Sequence, residues 1–200
     1  MKPPPILLIG AGGHATACIG VVEAEGRFRI AGLVGREEEE RGSNRLGYPV
    51  LGTDADLETL LKKIPRVLID IGQIRSPKPR MRAYARAARA GAVFPVVQSP
   101  GSAVSRHASL GPGTIVMPGA IVQAGARIGI NCILNSQSLI EHGTRVGDHS
   151  HISTGAILNG DCQVGCGCFV GSGAVLQEGL QLKAGTVVPM GAVIRRRRNS

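Results

Sequence analysis

The chain has 200 residues, 43% of them hydrophobic, enough for a packed core in one domain or two small ones. Aromatics make up only 2%, Trp is absent and Gly contributes 29 residues, so the core is aliphatic and the backbone turns often, which disfavours a helical bundle. Lys and Arg outnumber Asp and Glu by 23 to 14, a net charge of +9 that attracts polyanions, yet the basic residues are scattered and lack aromatic stacking platforms, which argues against nucleic acid as the partner.

At the start, the apolar run Ile6 to Ile9 is too short for a signal peptide or a transmembrane segment, and a cytoplasmic protein is expected. The five cysteines, Cys18, Cys132, Cys162, Cys166 and Cys168, are an odd number without a secretory leader and do not suggest a disulfide framework. Ile6 to Ile9 followed by Gly10-Ala11-Gly12-Gly13-His14-Ala15 reads as a strand, a glycine-rich turn and a helix start. Further strands are predicted at Leu33–Val34 and Val67–Ile71, with helices at Ala55–Lys63 and Arg80–Ala90, giving a small βαβ, Rossmann-like domain over residues 1–98. Glu37 to Glu40 reads as a solvated loop. Gly10, Gly12 and Ala15 match a dinucleotide fingerprint, in which amides at a helix N-terminus hold a pyrophosphate; a tight turn required only for packing is the competing explanation. Val34 and Gly35 stand where a ribose-gripping acid is expected, so a nicotinamide cofactor is disfavoured.

Pro95 and Pro100 mark a linker into the second domain, residues 99–200. From Val104 to Ile194 every sixth residue is Val, Ile or Leu. The residue four places after each is small, for example Ala120, Cys132, Ser138 and Ala156, with Leu180 the exception, and the residue between is commonly Gly. Each hexad is therefore a short strand and a corner, and three hexads close an eighteen-residue coil of a parallel β-helix whose aliphatic residues stack along the axis. In this frame Cys132, Cys162 and Cys168 fill the small inward position, which favours packing over metal ligation, whereas Cys166 lies outside it.

His142, His149 and His151 fall within ten residues. His142 occupies a hexad position of variable chemistry and is expected to face outward. Gly160, eighteen residues on, lies on the same edge one coil higher, where a side-chain-free backbone leaves room for a thioester and offers an amide to an oxyanion. The adjacent edge carries Thr154, Ser172 and Met190, and the two edges together suit an extended pantetheine arm. Zinc ligation by the three histidines, as in β-helical carbonic anhydrases, is the alternative, although their different hexad positions separate them within one subunit.

The glycine-rich start, Asn135, Ile140-Glu141-His142, His149-Ser150-His151-Ile152-Ser153 and Asn159-Gly160 together resemble the sialic acid acetyltransferase type of sugar O- and N-acetyltransferases, including those that acetylate nucleotide-linked 4-amino sugars of bacterial glycans. The resemblance implies a left-handed β-helix of hexapeptide repeats, acetyl-CoA as co-substrate without a metal, a nucleotide-sugar acceptor, and a homotrimer with its active sites between neighbouring chains. It further implies His142 as general base, Gly160 as oxyanion donor, His151, Ser172, Gly173 and Met190 at the coenzyme, and Gly12, Gly13, His14 and Asn135 at the sugar nucleotide. Departures from the family pattern are Gly143, where an acidic residue usually follows the histidine, and Val34, Gly35, Gln73 and Ile74 around the nucleotide site. Tuning of His142 then falls to Glu141, Asp148 or another subunit. Rival readings are O-acetylation of a sialic-acid-like sugar, a metal-dependent β-helix, and a catalytically weakened one.

Overall fold

The computed structural model describes residues 2–36 and 40–196. Most of the expected Glu37 to Glu40 loop, and the basic tail beyond Arg196, lie outside the described residues. The chain divides into two compact units, residues 1–72 with 78–99, and residues 73–77 with 100–200.

The first unit is built on strands β1 (Pro5–Ile9), β2 (Arg29–Val34), β3 (Asn44–Arg45), β4 (Tyr48–Gly52) and β5 (Val67–Ile69), in the order β3-β4-β2-β1-β5. All pairings are parallel except β3 with β4. A parallel strand covered on both faces must be apolar throughout, and β1 is: Leu7 and Ile9 pack against Leu57, Leu61, Ala83 and Ala87, while the alternate residues Ile6 and Leu8 are sealed on the opposite face. Those partners lie on helices α2 (Leu57–Lys63) and α3 (Lys78–Arg89). Helix α1 (Gly13–Glu25) follows the glycine-rich turn and ends at Gly26, whose left-handed φ of 67° lets its amide close on the Val22 carbonyl. The hairpin of β3 and β4 is absent from the sequence-based expectation; it turns through Leu46 and Gly47, both at positive φ, and Asn44 Oδ1 accepts the Gly47 amide at 2.8 Å.

In the second unit, two-residue strands stack in parallel with partners eighteen residues apart, as in Ile121, Leu139, Ile157, Val175 and Val193. Three such columns form a left-handed β-helix. The glycine-rich corner position is left-handed from Gly113 to Gly191: Gly143 and Gly155 have φ of 66° and 64°, and Asn131, Gln137, His149 and Asp161 adopt 51°, 59°, 57° and 56° at equivalent corners. The six-residue aliphatic ladder forms a continuous interior, with Val116, Leu134, Ile152, Val170 and Leu176 sealed from solvent. The small inward position has a second use. Thr114, Thr144 and Ser150 each donate a hydroxyl hydrogen bond to the carbonyl fifteen residues ahead, at 2.8, 3.0 and 3.0 Å, and the thiols of Cys132, Cys162 and Cys168 reach the equivalent carbonyls at 3.3, 3.2 and 3.1 Å. Burial pushes the Cys162 and Cys168 thiols up from their ordinary range, so they are packing groups, whereas Cys166 is exposed. No helix among the described residues is long and apolar enough to cross a membrane.

Candidate active site

His142 is exposed at the corner after strand Leu139–Ile140. Gly160 occupies the same corner one coil higher and is buried beneath the imidazole. A Cβ built on Gly160 would lie 2.6 Å from His142 Cε1, 2.8 Å from Nε2 and 3.3 Å from Nδ1. The Gly160 backbone is not left-handed, so glycine is demanded there by space alone. Among the described residues the imidazole makes no hydrogen bond and the Gly160 amide has no acceptor, although its carbonyl accepts the Gly179 amide at 2.8 Å. An accessible base therefore stands against an uncommitted backbone donor.

Of the groups expected to tune this base, Glu141 is half-buried on the same corner. Asp148 is not available within the chain, because it stands on a different corner and its Oδ1 accepts the Ile130 amide at 2.9 Å.

The other two histidines of the cluster are engaged elsewhere. His149 sits at a left-handed corner with Nδ1 2.9 Å from Asn131 Nδ2. His151 is only 6% exposed; its Nδ1 donates to the Gln73 carbonyl at 2.6 Å, which leaves Nε2 as the acceptor of the Asn135 amide at 3.1 Å. Asn135 Oδ1 in turn accepts the Ser136 amide at 2.8 Å. The ring nitrogens of His151 thus each have a partner within the chain, and Asn135, through its side-chain oxygen and amide, links His151 to the Ser136 backbone. Gln73 is itself buried, its Nε2 donating to the Cys168 carbonyl at 3.1 Å, while Ile74 is exposed. Among the described residues no group of three or more His, Cys, Asp or Glu is placed to hold a metal ion.

Ser172, Gly173 and Met190 lie on the corners that follow strands Phe169–Val170 and Val187–Val188, away from the corner of His142. Ser172 Oγ is 2.9 Å from Ser153 Oγ, Gly173 stands in open space at a left-handed φ of 66°, and Met190 is 77% exposed. Between these two edges runs the column containing Leu139–Ile140 and Ile157–Leu158, whose outward residues Ile121, Leu139, Ile157, Val175 and Val193 form an apolar, partly exposed stripe.

In the first unit the glycines separate by cause. Gly10 has φ of 138° and abuts the buried Asp70 carboxyl, so packing accounts for it. Burial pushes that carboxyl well above the ordinary range, with the Arg80 guanidinium opposing the shift. Gly12 and Gly13, by contrast, are exposed and a Cβ on either would meet nothing, so the chain's own packing does not require glycine there. Both lie at the N-terminus of α1, where unpaired amides favour an anion. His14 follows, half-buried beside Gly72. Two neighbours escaped sequence reasoning: Arg45 Nε donates to the Ala11 carbonyl at 2.8 Å, and the Glu40 carboxylate folds onto Gly35, accepting the Arg36 amide at 2.5 Å. Glu40 thus supplies an acid at the end of β2 that Val34 and Gly35 lack.

Residues 5–86 match the PglD N-terminal domain. The acetyltransferase domain of PglB from Neisseria gonorrhoeae is similar over 96% of this chain and 91% of its own, at 30% identity and a TM-score of 0.87. The same domain in complex with acetyl coenzyme A gives 29% identity over the same shares and a TM-score of 0.88. PerB from Caulobacter crescentus, in complex with CoA and GDP-perosamine, is 25% identical, over 93% of this chain and 91% of that one, with a TM-score of 0.67. A 4-hydroxy-tetrahydrodipicolinate reductase of Oleidesulfovibrio alaskensis is 40% identical over 83 residues, a stretch that is 40% of this chain and 31% of that protein. A PglD N-terminal domain, a hexapeptide β-helix and near full-length similarity to an acetyltransferase domain place this chain in the PglD-like N-acetyltransferase family.

Proposed function

We propose that this chain transfers the acetyl group of acetyl-coenzyme A to the amino group of a nucleotide-linked amino sugar in bacterial glycan biosynthesis. The observation that carries this reading is the unbonded His142 imidazole packed on Gly160, whose amide has no acceptor among the described residues. The amine attacks the thioester carbonyl, a C–N bond forms, and His142 takes the proton released by the nitrogen. The negative oxygen that develops is stabilised by the Gly160 amide. Collapse breaks the C–S bond, and the thiolate of coenzyme A leaves with the proton held by His142. No metal takes part in this scheme.

The coenzyme lies along the edge of Ser172, Gly173 and Met190. The sugar nucleotide is held by Gly12, Gly13 and His14, with Arg45 beside the same turn to meet the pyrophosphate. His151 stands at the coenzyme and Asn135 at the sugar nucleotide, and their mutual hydrogen bond braces that wall of the site. Self-association of the chain, as a homotrimer, buries the apolar stripe at Leu139, Ile157 and Val175 and brings the His142 edge of one copy to the Ser172 edge of the next. Support comes from PglB, whose acetyltransferase domain binds acetyl coenzyme A, and from PerB, which binds CoA and GDP-perosamine.

The test is release of free thiol from acetyl-coenzyme A with GDP-perosamine, a UDP-linked 4-amino sugar and a sialic acid as acceptors. Turnover is expected with an amino sugar and is expected to fall at least ~100-fold in His142→Ala. An unchanged rate in that variant, or acetylation of the hydroxyl acceptor alone, overturns the assignment.

A further inference from the structure

The net charge of +9 has no part in the proposed chemistry, and it is not spread evenly: from Lys62 to Arg89 the chain holds nine basic residues and one acid, Asp70, which is buried. Scattered along the sequence, the cations of the first unit are gathered by its fold. Strands β1, β2, β4 and β5 run parallel, so their amino ends share one end of the sheet, and helices α2 and α3 finish at that end. Arg29 opens β2, and its amide donates to the Pro4 carbonyl, two residues from Lys2, at 3.0 Å. Arg66 precedes β5, and its carbonyl accepts the Leu7 amide at 2.9 Å. Lys62 and Lys63 are the last residues of α2, and Arg89 is the last of α3. The segment leaving α3 is stitched to the same place, the Val93 amide donating to the Pro65 carbonyl at 2.8 Å and the Val93 carbonyl accepting the Val67 amide at 2.9 Å. Of these cations Lys2, Arg29, Lys62, Lys63 and Arg89 are exposed and Arg66 is half-buried, and none of their side chains has a hydrogen-bond or ion-pair partner among the described residues. The acids at this end are engaged: Glu25 accepts from Arg27 and from the Gln98 amide, and Glu23 accepts the Tyr48 hydroxyl at 2.9 Å. Attraction to a helix C-terminus accounts for Lys62, Lys63 and Arg89 but not for Lys2, Arg29 and Arg66. Val93 stands among them 54% exposed.

We propose that this end of the first unit is a docking surface for an anionic lipid bilayer. The cations stand on the ends of separate elements, on flexible stems, around an exposed aliphatic residue. A fluid array of anionic headgroups rearranges to meet charges so distributed, and each Lys or Arg that reaches it raises the partition roughly fivefold. Nucleic acid fits less well, because the rings of Phe28 and Phe94 are already covered, by the Arg27 guanidinium and by Tyr84, which leaves no platform on which bases stack. The turn of Gly12 and Gly13 leaves the carboxyl end of β1, a five-residue strand or about 15 Å away, and stays open when the amino ends lie on a membrane. This surface is independent of the acetyl-transfer reading.

The experiment is flotation of the full-length protein with vesicles of phosphatidylcholine alone and of phosphatidylcholine with phosphatidylglycerol in equal parts. The wild type is expected to float with the mixed vesicles only, and ~0.5 M salt to release it. A variant carrying Lys63→Gln, Arg66→Gln and Arg89→Gln is expected to bind the mixed vesicles at least ~10-fold more weakly. A second variant, with Arg127→Gln, Arg145→Gln and Lys183→Gln, loses the same charge from exposed positions of the β-helix and is expected to bind as the wild type does. The basic tail is the same in all three proteins. No flotation of the wild type, or equal weakening in both variants, overturns the proposal. So does a first variant that loses affinity for a single-stranded RNA homopolymer while its vesicle binding is unchanged, which would assign the surface to nucleic acid. Thiol release from acetyl-coenzyme A is expected to be alike in the wild type and the first variant. Since flotation needs no turnover, a protein that floats but transfers no acetyl group sinks the proposed activity and leaves the docking surface standing.

Discussion

Gly160 shows how one missing side chain makes room for a neighbouring ring without being demanded by the backbone. Its backbone is ordinary, so alanine would be tolerated by the corner itself, but the added Cβ would sit 2.6 Å from the His142 ring. The ring must then swing away from the amide on which it rests. Gly160→Ala is therefore expected to fold as the wild type does by circular dichroism while its turnover falls ~10- to 100-fold, the scale on which a displacement of about 1 Å acts. Wild-type turnover in that variant would show that the packing of ring on glycine has no bearing on the reaction. This pair was legible in the sequence because a spacing of eighteen residues is one coil. Arg45 and Glu40 were not, since their contacts with the Ala11 carbonyl and the Arg36 amide depend on a hairpin and a loop with no periodic signature. Nor was the partner of His151: the Gln73 carbonyl that its Nδ1 meets lies 78 residues away in the chain.

At the scale of the element, the hexad pattern was read correctly in every coil because each side has a fixed length and a fixed inward residue. The first unit was harder. Strand β1 and helices α2 and α3 carry plain apolar signals, whereas β4 contains Pro49 and β3 is only two residues long, so neither resembles a strand in isolation. Polar residues in the small inward column also look anomalous until their acceptors are seen. Thr144 is sealed from solvent and donates to the carbonyl of Asn159, the residue before Gly160, at 3.0 Å. Thr144→Val keeps the shape and deletes the donor, leaving that carbonyl with one partner fewer. The expected loss is about 1 kcal/mol in a denaturant titration, at the level of one hydrogen bond. A variant as stable as the wild type would mean that the column is filled by shape alone.

For the molecule as a whole, the two edges assigned to base and coenzyme stand on different corners of one coil, with the stripe of Leu139, Ile157 and Val175 between them. One copy therefore holds these edges apart, and the homotrimer proposed above would bring the edge of a neighbouring copy to them through the stripe. Ile157→Arg places a charge at the centre of that stripe. Sedimentation is expected to shift the variant from an assembly to a smaller species, with turnover falling in step, and an assembly of unchanged size and activity would separate the apolar face from catalysis.

Lateral neighbours eighteen residues apart give the coiled part of this chain a reading frame of its own. An extra loop at an outer corner can bulge and leave the count intact, but loss of one residue inside a hexad moves every later side chain one place round the triangle, so that aliphatics turn to water and charges turn in. Excision of a full turn starting at Gly143 would keep the winding in phase and yet seat Glu178, not Gly160, above His142. Such a protein would still be able to coil, with a carboxylate standing where the reaction needs a bare amide.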